Sequence, residues 1–377
     1  MSDRLRVALI YDMDACKNPT GVTRHAMAGL RGLAQRPDVA LRAVSGRIRE
    51  PDGLAFWEDL ATLPRREMPL RTRDMLRLWR MISWPPVECW TGPVDWVYAP
   101  AEYDVPTKRA KRAVTSHDIL QDLTIGGPRR RDRLARTFGR ADLILSVSHF
   151  NTARLLEAFP EVRDRVAYVP NAADDLFFEP PSDGERSLAR ADLGLPPGVP
   201  YLLSVASFQA RKNLVQLVRS AGRLPEVARG ELALVLLGAG TDAEADAIRR
   251  AIADLPRSAI VRMPGYRQGR ALRAAYAEAT ALVFPSTCES FGIPAVEAMA
   301  CGCPVALADT TALPEIGGDA GWYFNPEHDE AITSLLRDLL DSSDERARRR
   351  DRGREVAAGY RWDAAISLLA ASLIARR

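Results

Sequence analysis

Glu289 and Glu297 stand eight residues apart in TCESFGIPAVEAMACGCP (287–304), on either side of a Phe-Gly-Ile-Pro turn. TALVFPS before the turn and CPVALAD after it read as strands, so the unit between them is a helix that opens at Pro294 and stops at Gly302. A helix N-terminus at the carboxyl end of a strand offers free N–H groups and a positive dipole end to an anion. One carboxylate in the loop and one a turn into the helix then border a phosphate seat, and a carboxylate suits a vicinal diol. A nucleotide ligand needs both. The bland reading is a solvated Glu289 and a Glu297 serving its own helix start.

SVASFQARKNLVQL (204–217) repeats the order of strand, loop and helix and leaves Arg211 beside Lys212 at a strand end on the same side of the sheet. A guanidinium and an ammonium there can clamp a diphosphate and stabilise the charge that develops as it departs. Taken alone, the pair is ordinary surface charge. His117 ends another predicted strand, in RAVTSHDI (112–119), and its bland reading is a hydrogen-bonded strand-end histidine.

The elements that must position these residues come in two series. RVALIY (6–11), DWVYAP (95–100), RAVTSHDI, ADLILSVS (141–148) and RVAYVPN (165–171) are short apolar runs, with helical spacing after the first at Val22, Met27, Leu30 and Leu33 and again in HFNTARLLEAF (149–159). From YLLSVAS (201–207) the alternation restarts, through ELALVLLG, SAIVRMPG, TALVFPS and CPVALAD. Strands alternating with helices predict parallel sheets covered on both faces. The expected organisation is an α/β domain over 1–175, a Pro- and Gly-rich linker over 176–200, a second α/β domain over 201–357, and a final helical segment over 358–377. At 377 residues, two cores are what the length predicts.

Composition excludes several classes. The hydrophobic share of 47% and charged share of 27% belong to a globular rather than a disordered chain, and a net charge of +3 demands no nucleic-acid partner. The five cysteines include no CxxC pair, so neither a zinc site nor a disulfide framework is expected. No apolar run spans a membrane and MSDRLRVALIYDMD lacks a signal segment, so a cytoplasmic location is expected.

The ordered set of blocks resembles the retaining GT-B glycosyltransferases of family 4. ESFGIPAVE is similar to that family's Glu-x7-Glu signature; VTSHDI, LSVSHF, VPNAADDLF, VASFQARKN, LVLLGAG and AMACGCPVALADTTALPEIGGDAGWYFNP resemble further blocks in the family's order. The resemblance covers nearly the whole chain and is weakest between 45 and 95. It implies a GT-B architecture, two Rossmann-like doubly wound domains facing across a cleft, with the last helix crossing back to the first domain. It implies a metal-independent hexosyltransferase, without a cofactor, that uses a nucleotide diphosphate sugar as substrate.

By the same resemblance Glu297 holds the ribose. Glu289, Ser290 and Phe291 touch the transferred sugar, Gly292 and Ile293 belong to the donor-binding turn, and Arg211 and Lys212 hold the diphosphate. His117 reaches the sugar, Gly21 lets the first loop approach the substrates, and Gly265 and Tyr266 are candidates near the base. Arg-Lys-Asn and His-Asp-Ile resemble mannosyltransferase-like members of polysaccharide pathways. That makes GDP-mannose the first guess, with a glycan or lipid-linked glycan as acceptor. Two positions depart from the common pattern: Ala206 stands where many members carry Arg, and Asn171-Ala172 where Asn-Gly is usual.

Other signals compete. Asp12-Met-Asp14 has the form of a metal motif but follows the first strand, and is read as loop acid. Gly238-x-Gly240-x-x-Ala243 has the form of a dinucleotide fingerprint and supports the alternative of a nicotinamide-dependent oxidoreductase; it falls mid-domain rather than in a first βαβ unit. A nucleotide-sugar-binding protein of this fold without turnover is a third reading. In RREMPLRTRDMLRLWRMISW (65–84), Arg73, Arg77 and Arg80 line one helical edge beside an apolar face. That segment reads either as a peripheral membrane contact at the inner face of the plasma membrane or as a helix packed on its own domain. The basic tracts KRAKR (108–112) and PRRRDR (128–133) could add to such a patch or to an acidic-acceptor site.

Overall fold

The computed structural model describes residues 4–12, 20–47 and 65–377, which fall into two units: Met1–Asn171 with Trp362–Arg377, and Ala172–Arg361. The strands of the first unit are β1 (Leu5–Tyr11), β2 (Val39–Ser45), β3 (Arg65–Glu67), β4 (Trp96–Ala99), β5 (Lys111–Ser116), β6 (Leu143–Ser146) and β7 (Val166–Tyr168). All pair in parallel, in the order β3-β2-β1-β4-β5-β6-β7.

β1 shows why this sheet is covered on both faces. Leu5, Val7, Leu9 and Tyr11 enter one core while Ala8 and Ile10 enter the other, because successive side chains of a strand point to opposite faces. The first core is closed by α1 (Gly21–Gln35) through Met27, Leu30 and Leu33. On the other face lie α2 (Thr72–Ile82) with Met75 and Trp79, α3 (Ile119–Arg140) with Leu134 and Phe138, and α4 (His149–Ala158) with Leu155. Each fully buried leucine or phenylalanine contributes roughly 1.5–3 kcal/mol. α3 breaks at Gly127 (φ 63°), because the ring of Pro128 disfavours helical backbone in the residue before it.

The second unit holds β8 (Tyr201–Val205), β9 (Ala233–Leu237), β10 (Val261–Gly265), β11 (Ala281–Phe284), β12 (Val305–Ala308) and β13 (Trp322–Phe324), parallel and ordered β10-β9-β8-β11-β12-β13. Its longer helices are α5 (Asp183–Asp192), α6 (Leu214–Gly222), α7 (Asp242–Ala253), α8 (Gly269–Glu278), α9 (Ile293–Ala300), α10 (Asp329–Asp341) and α11 (Ser343–Ala358). Each sheet reverses its strand order once, at β1/β4 and at β8/β11. In open α/β sheets ligands bind beyond the carboxyl ends of the strands at such a reversal.

Residues 176–200 differ from the linker expected of their prolines. They contain α5, opened by a capping box in which Ser182 and Glu185 satisfy one another's backbone N–H groups. The buried Arg273 of α8 then grips Glu185 at 2.7 Å and Glu179 at 3.5 Å, which makes the segment part of the second unit. The last helix, α12 (Trp362–Ile374), belongs to the first unit: Ile366, Leu369 and Leu373 join the core under α1. α1 carries Gly32 where α12 passes, and a β-carbon there would come within 2.7 Å of Ile366. Trp96 of β4 donates its indole N–H to the Leu373 carbonyl at 3.0 Å.

Candidate functional site

β8 ends in a loop that closes as a single 3-10 turn, Ala210–Lys212, followed by Asn213 in the left-handed region (φ 57°). That reversal sets Arg211 and Lys212 at the carboxyl edge of the sheet, next to the loop that leaves β11. The Arg211 carbonyl accepts the N–H of Thr287 at 2.8 Å and the hydroxyls of Ser286 and Thr287 at 3.2 Å, so the two loops are stitched across the β8/β11 reversal. The side chains follow. Lys212 Nζ donates to Glu289 Oε1, Arg211 Nη1 lies 3.7 Å from the same oxygen, and Nη1 also donates to the Cys288 carbonyl at 2.8 Å. The Glu289 backbone N–H in turn donates to the Thr311 hydroxyl at 3.1 Å. Two cations and one carboxylate thus meet in a largely buried cluster, where charge interactions are far stronger than in water.

After Glu289 the chain buries Ser290 and Phe291, the latter edge-on to Tyr360 at 5.5 Å, and turns at Gly292. Gly292 has φ 104°, and a β-carbon would come within 2.7 Å of Leu313 Cδ2, so only glycine fits. It is the N-cap of α9 and provides no capping side chain; Ile293 and Pro294 open the helix, as the sequence predicts. Glu297 sits in the next turn, 1% exposed, and its Oε2 accepts the Tyr276 hydroxyl at 3.1 Å. Tyr276, on α8, is a partner that the sequence reading did not find.

The other expected donor residues lie further off. Gly265 ends β10, two strands from the reversal, with φ 89°, and Tyr266 follows it, 45% exposed. The glycines of the fingerprint have structural work. Gly238 packs so closely on the Ala206 carbonyl that a β-carbon would overlap it, and one on Gly240 would lie 2.6 Å from Phe208 Cβ. They let the β9 loop lie against the β8 loop.

In the first unit His117 follows β5. Its Nε2 pairs with the Pro100 carbonyl at 2.9 Å, which requires the proton on Nε2 and leaves Nδ1 as an acceptor. Burial lowers its pKa to about 4, so the ring is neutral at neutral pH. His25 of α1 stands edge-on to it at 4.9 Å, held by Asn171 at 2.9 Å and Tyr98 at 2.8 Å; burial, with His117 adding, lowers its pKa to about 3. Gly21 is the first residue of α1, behind the Thr20 cap, rather than a loop residue. Asp12 follows β1, and Asp14 lies outside the described residues.

Glu102, on the loop after β4, is a second residue that the sequence reading missed. Its Oε1 accepts the His117 backbone N–H at 2.7 Å, and burial, with the Asp122 charge adding, pushes its pKa up to about 7. Between the usual 4.5 and about 7 the folded chain keeps a proton that the unfolded chain has released, so stability falls as pH rises through that window. Glu102→Gln keeps an oxygen for the His117 N–H. Denaturant unfolding from pH 4.5 to 8 is expected to show the variant gaining on the wild type as pH rises; parallel curves would rule out this titration.

Residues 185–356 match the family described as Glycosyl transferases group 1. Over 277 residues the chain is 29% identical to O-antigen chain mannosyltransferase B of Escherichia coli, a match covering 71% of this chain and 71% of that protein. Over 241 residues it is 32% identical to D-inositol 3-phosphate glycosyltransferase of Nocardia farcinica, covering 61% of this chain and 53% of that protein. Among solved structures, HepE of Anabaena in complex with UDP and glucose superposes with a TM-score of 0.79 at 16% identity, over 99% of this chain and 100% of that one. That likeness is one of fold: two Rossmann-like units of the GT-B kind.

Proposed function

We propose that the chain, whose residues 185–356 match the family described as Glycosyl transferases group 1, moves a hexose from a nucleotide diphosphate sugar, with retention at the anomeric carbon, to a glycan or lipid-linked glycan of surface polysaccharide assembly. The observation that carries this reading is the meeting of Arg211, Lys212 and Glu289 at the β8/β11 reversal, beside an α9 N-terminus that no side chain caps. The donor diphosphate competes with Glu289 for the two cations and takes the N–H groups of α9, while Glu297 accepts from the ribose hydroxyls. Mannose stands first because the E. coli relative is named for it.

In the transfer, the bond between the anomeric carbon and the diphosphate oxygen breaks as the acceptor oxygen bonds to the same face of that carbon. The acceptor proton goes to the departing phosphate oxygen. Arg211 and Lys212 stabilise the charge on the leaving diphosphate without a metal, and Glu289 accepts from a sugar hydroxyl to align the ring.

This reading puts the chain in the cytoplasm, at the inner face of the plasma membrane. Among the described residues no helix is long and apolar enough to cross a membrane. Residues 65–84 offer a peripheral contact instead: Met81, Ile82 and Trp84 are exposed beside Arg77 and Arg80, a pairing suited to an anionic lipid surface.

The test is calorimetric binding of UDP, GDP, ADP and NAD, without added metal, to the wild type and to Glu297→Ala. One nucleoside diphosphate is expected to bind, with at least tenfold loss in the variant, since a charged acceptor for the ribose is worth roughly 1.5–3 kcal/mol. Unchanged affinity would remove Glu297 from the site. Binding of NAD alone would favour the oxidoreductase, although Gly238 and Gly240 already have a packing role.

A further inference from the structure

Glu297 is a glutamate inside an apolar helix, where Ala295, Val296, Ala298 and Met299 of α9 are buried with it. A carboxylate so enclosed keeps its charge only where hydrogen-bond donors replace water. Tyr276 of α8 is one such donor, with its hydroxyl 3.1 Å from Glu297 Oε2 and its ring fully buried.

Tyr276 is itself held from a third element. α8, α9 and the 3-10 turn Asp175–Phe178 pack on one another in all three pairings, and all belong to the second unit. The Phe177 ring stands edge-on to the Tyr276 ring, centroids 6.1 Å apart, and the Phe177 carbonyl accepts the Cys301 thiol at 3.4 Å. Cys301 lies one turn after Glu297, and its backbone N–H donates to the Glu297 carbonyl at 3.0 Å. Tyrosine, glutamate and phenylalanine thus close a ring of contacts that holds the phenol in place.

We propose that Tyr276 is a positioning residue that lets Glu297 select a ribose over a deoxyribose. This deepens the donor reading proposed above and rests on it. The last side-chain torsion of a glutamate is broad and nearly two-fold, so the carboxylate of an unrestrained side chain samples many planes. A ribose presents two cis hydroxyls at a fixed spacing, and a carboxylate accepts from both only in a matching plane. The hydrogen bond at Oε2 sets that plane before the nucleotide arrives, so less side-chain freedom is lost on binding. Tyr276 does this without touching the nucleotide.

The experiment measures, by calorimetry, the affinity of whichever of UDP, GDP and ADP binds best and of its 2′,3′-dideoxy analogue. The proteins are the wild type, Tyr276→Phe, Glu297→Ala, the double variant, and the control Tyr201→Phe. Tyr201 donates its buried hydroxyl to the Ala275 carbonyl at 2.7 Å, so the control removes a phenol hydroxyl that holds the same helix one residue away. Tyr276→Phe keeps the ring and is expected to bind the ribonucleotide about five- to tenfold more weakly, the worth of one hydrogen bond, with the dideoxy affinity unchanged. Donor KM rises by the same factor while kcat at saturating donor holds, because the ribose contact is the same in ground and transition states. Tyr201→Phe lowers the unfolding temperature yet keeps the wild-type ratio of the two affinities. In the double variant the tyrosine change alters the ratio no further than Glu297→Ala alone.

A ratio left intact by Tyr276→Phe, whether both nucleotides weaken equally or neither does, but lost in Glu297→Ala, would strike the tyrosine and leave the donor site as proposed. A ratio intact in Glu297→Ala as well would strike the ribose assignment itself, and this inference with it. A ratio lowered as much by Tyr201→Phe as by Tyr276→Phe would reduce the hydroxyl of Tyr276 to a support of α8.

Discussion

Lys212→Ala is expected to lower kcat for sugar transfer by about 100- to 1000-fold, the effect of removing one aligned charge from a site where a leaving group develops negative charge. The lysine side chain is only 11% exposed and lies 5.4 Å from the Phe284 ring centroid, so neither solvent nor another flexible cation takes its place. Its loss leaves Arg211 as the remaining partner of Glu289, at 3.7 Å. The measurement is kcat at saturating donor together with nucleoside diphosphate affinity. A drop in kcat larger than the loss of affinity marks a charge used in the transition state. A kcat within a few-fold of wild type would show that the diphosphate leaves elsewhere.

Trp96→Ala is expected to destabilise the first unit by about 3–5 kcal/mol, the range for emptying a buried tryptophan site. Trp96 is fully buried in the core that β1, α1 and α12 share, and its indole N–H is bonded to the Leu373 carbonyl of α12. The truncation opens a cavity and strips the end of the last helix of a hydrogen bond at once. Thermal unfolding should lose roughly 10 °C in the transition that reports this unit. Trp96→Phe, which keeps most of the volume, should recover most of it; equal losses would mean that the indole N–H, rather than packing, is the main contact.

Much of the fold is legible in order. β1 reads as a strand because RVALIY is apolar at successive positions, and a strand buried on both faces requires just that. β2 is missed because Arg42 interrupts VALRAVS; the structure sends its guanidinium to the Thr91 and Pro93 carbonyls, partners that no local pattern reveals. Residues 176–200 mislead for the opposite reason. Their prolines flank α5, whose start is marked by the capping pair Ser182 and Glu185.

The candidate site divides in the same way. Pro294, Gly292 and Gly302 carry their meaning locally, since each answers a backbone demand of its own turn or helix end. Local pattern therefore specifies the two α/β series, the turn before α9 and the residue types that could hold a nucleotide. Sheet order is what brings Lys212 and Arg211, 77 and 78 positions away in the chain, to one oxygen of Glu289, Tyr276 to Glu297, and Glu102 to the His117 N–H. Hydrophobic period and backbone geometry repeat within a few residues and can be read along the chain, whereas the partners of a buried charge come from whichever strands the sheet order makes neighbours.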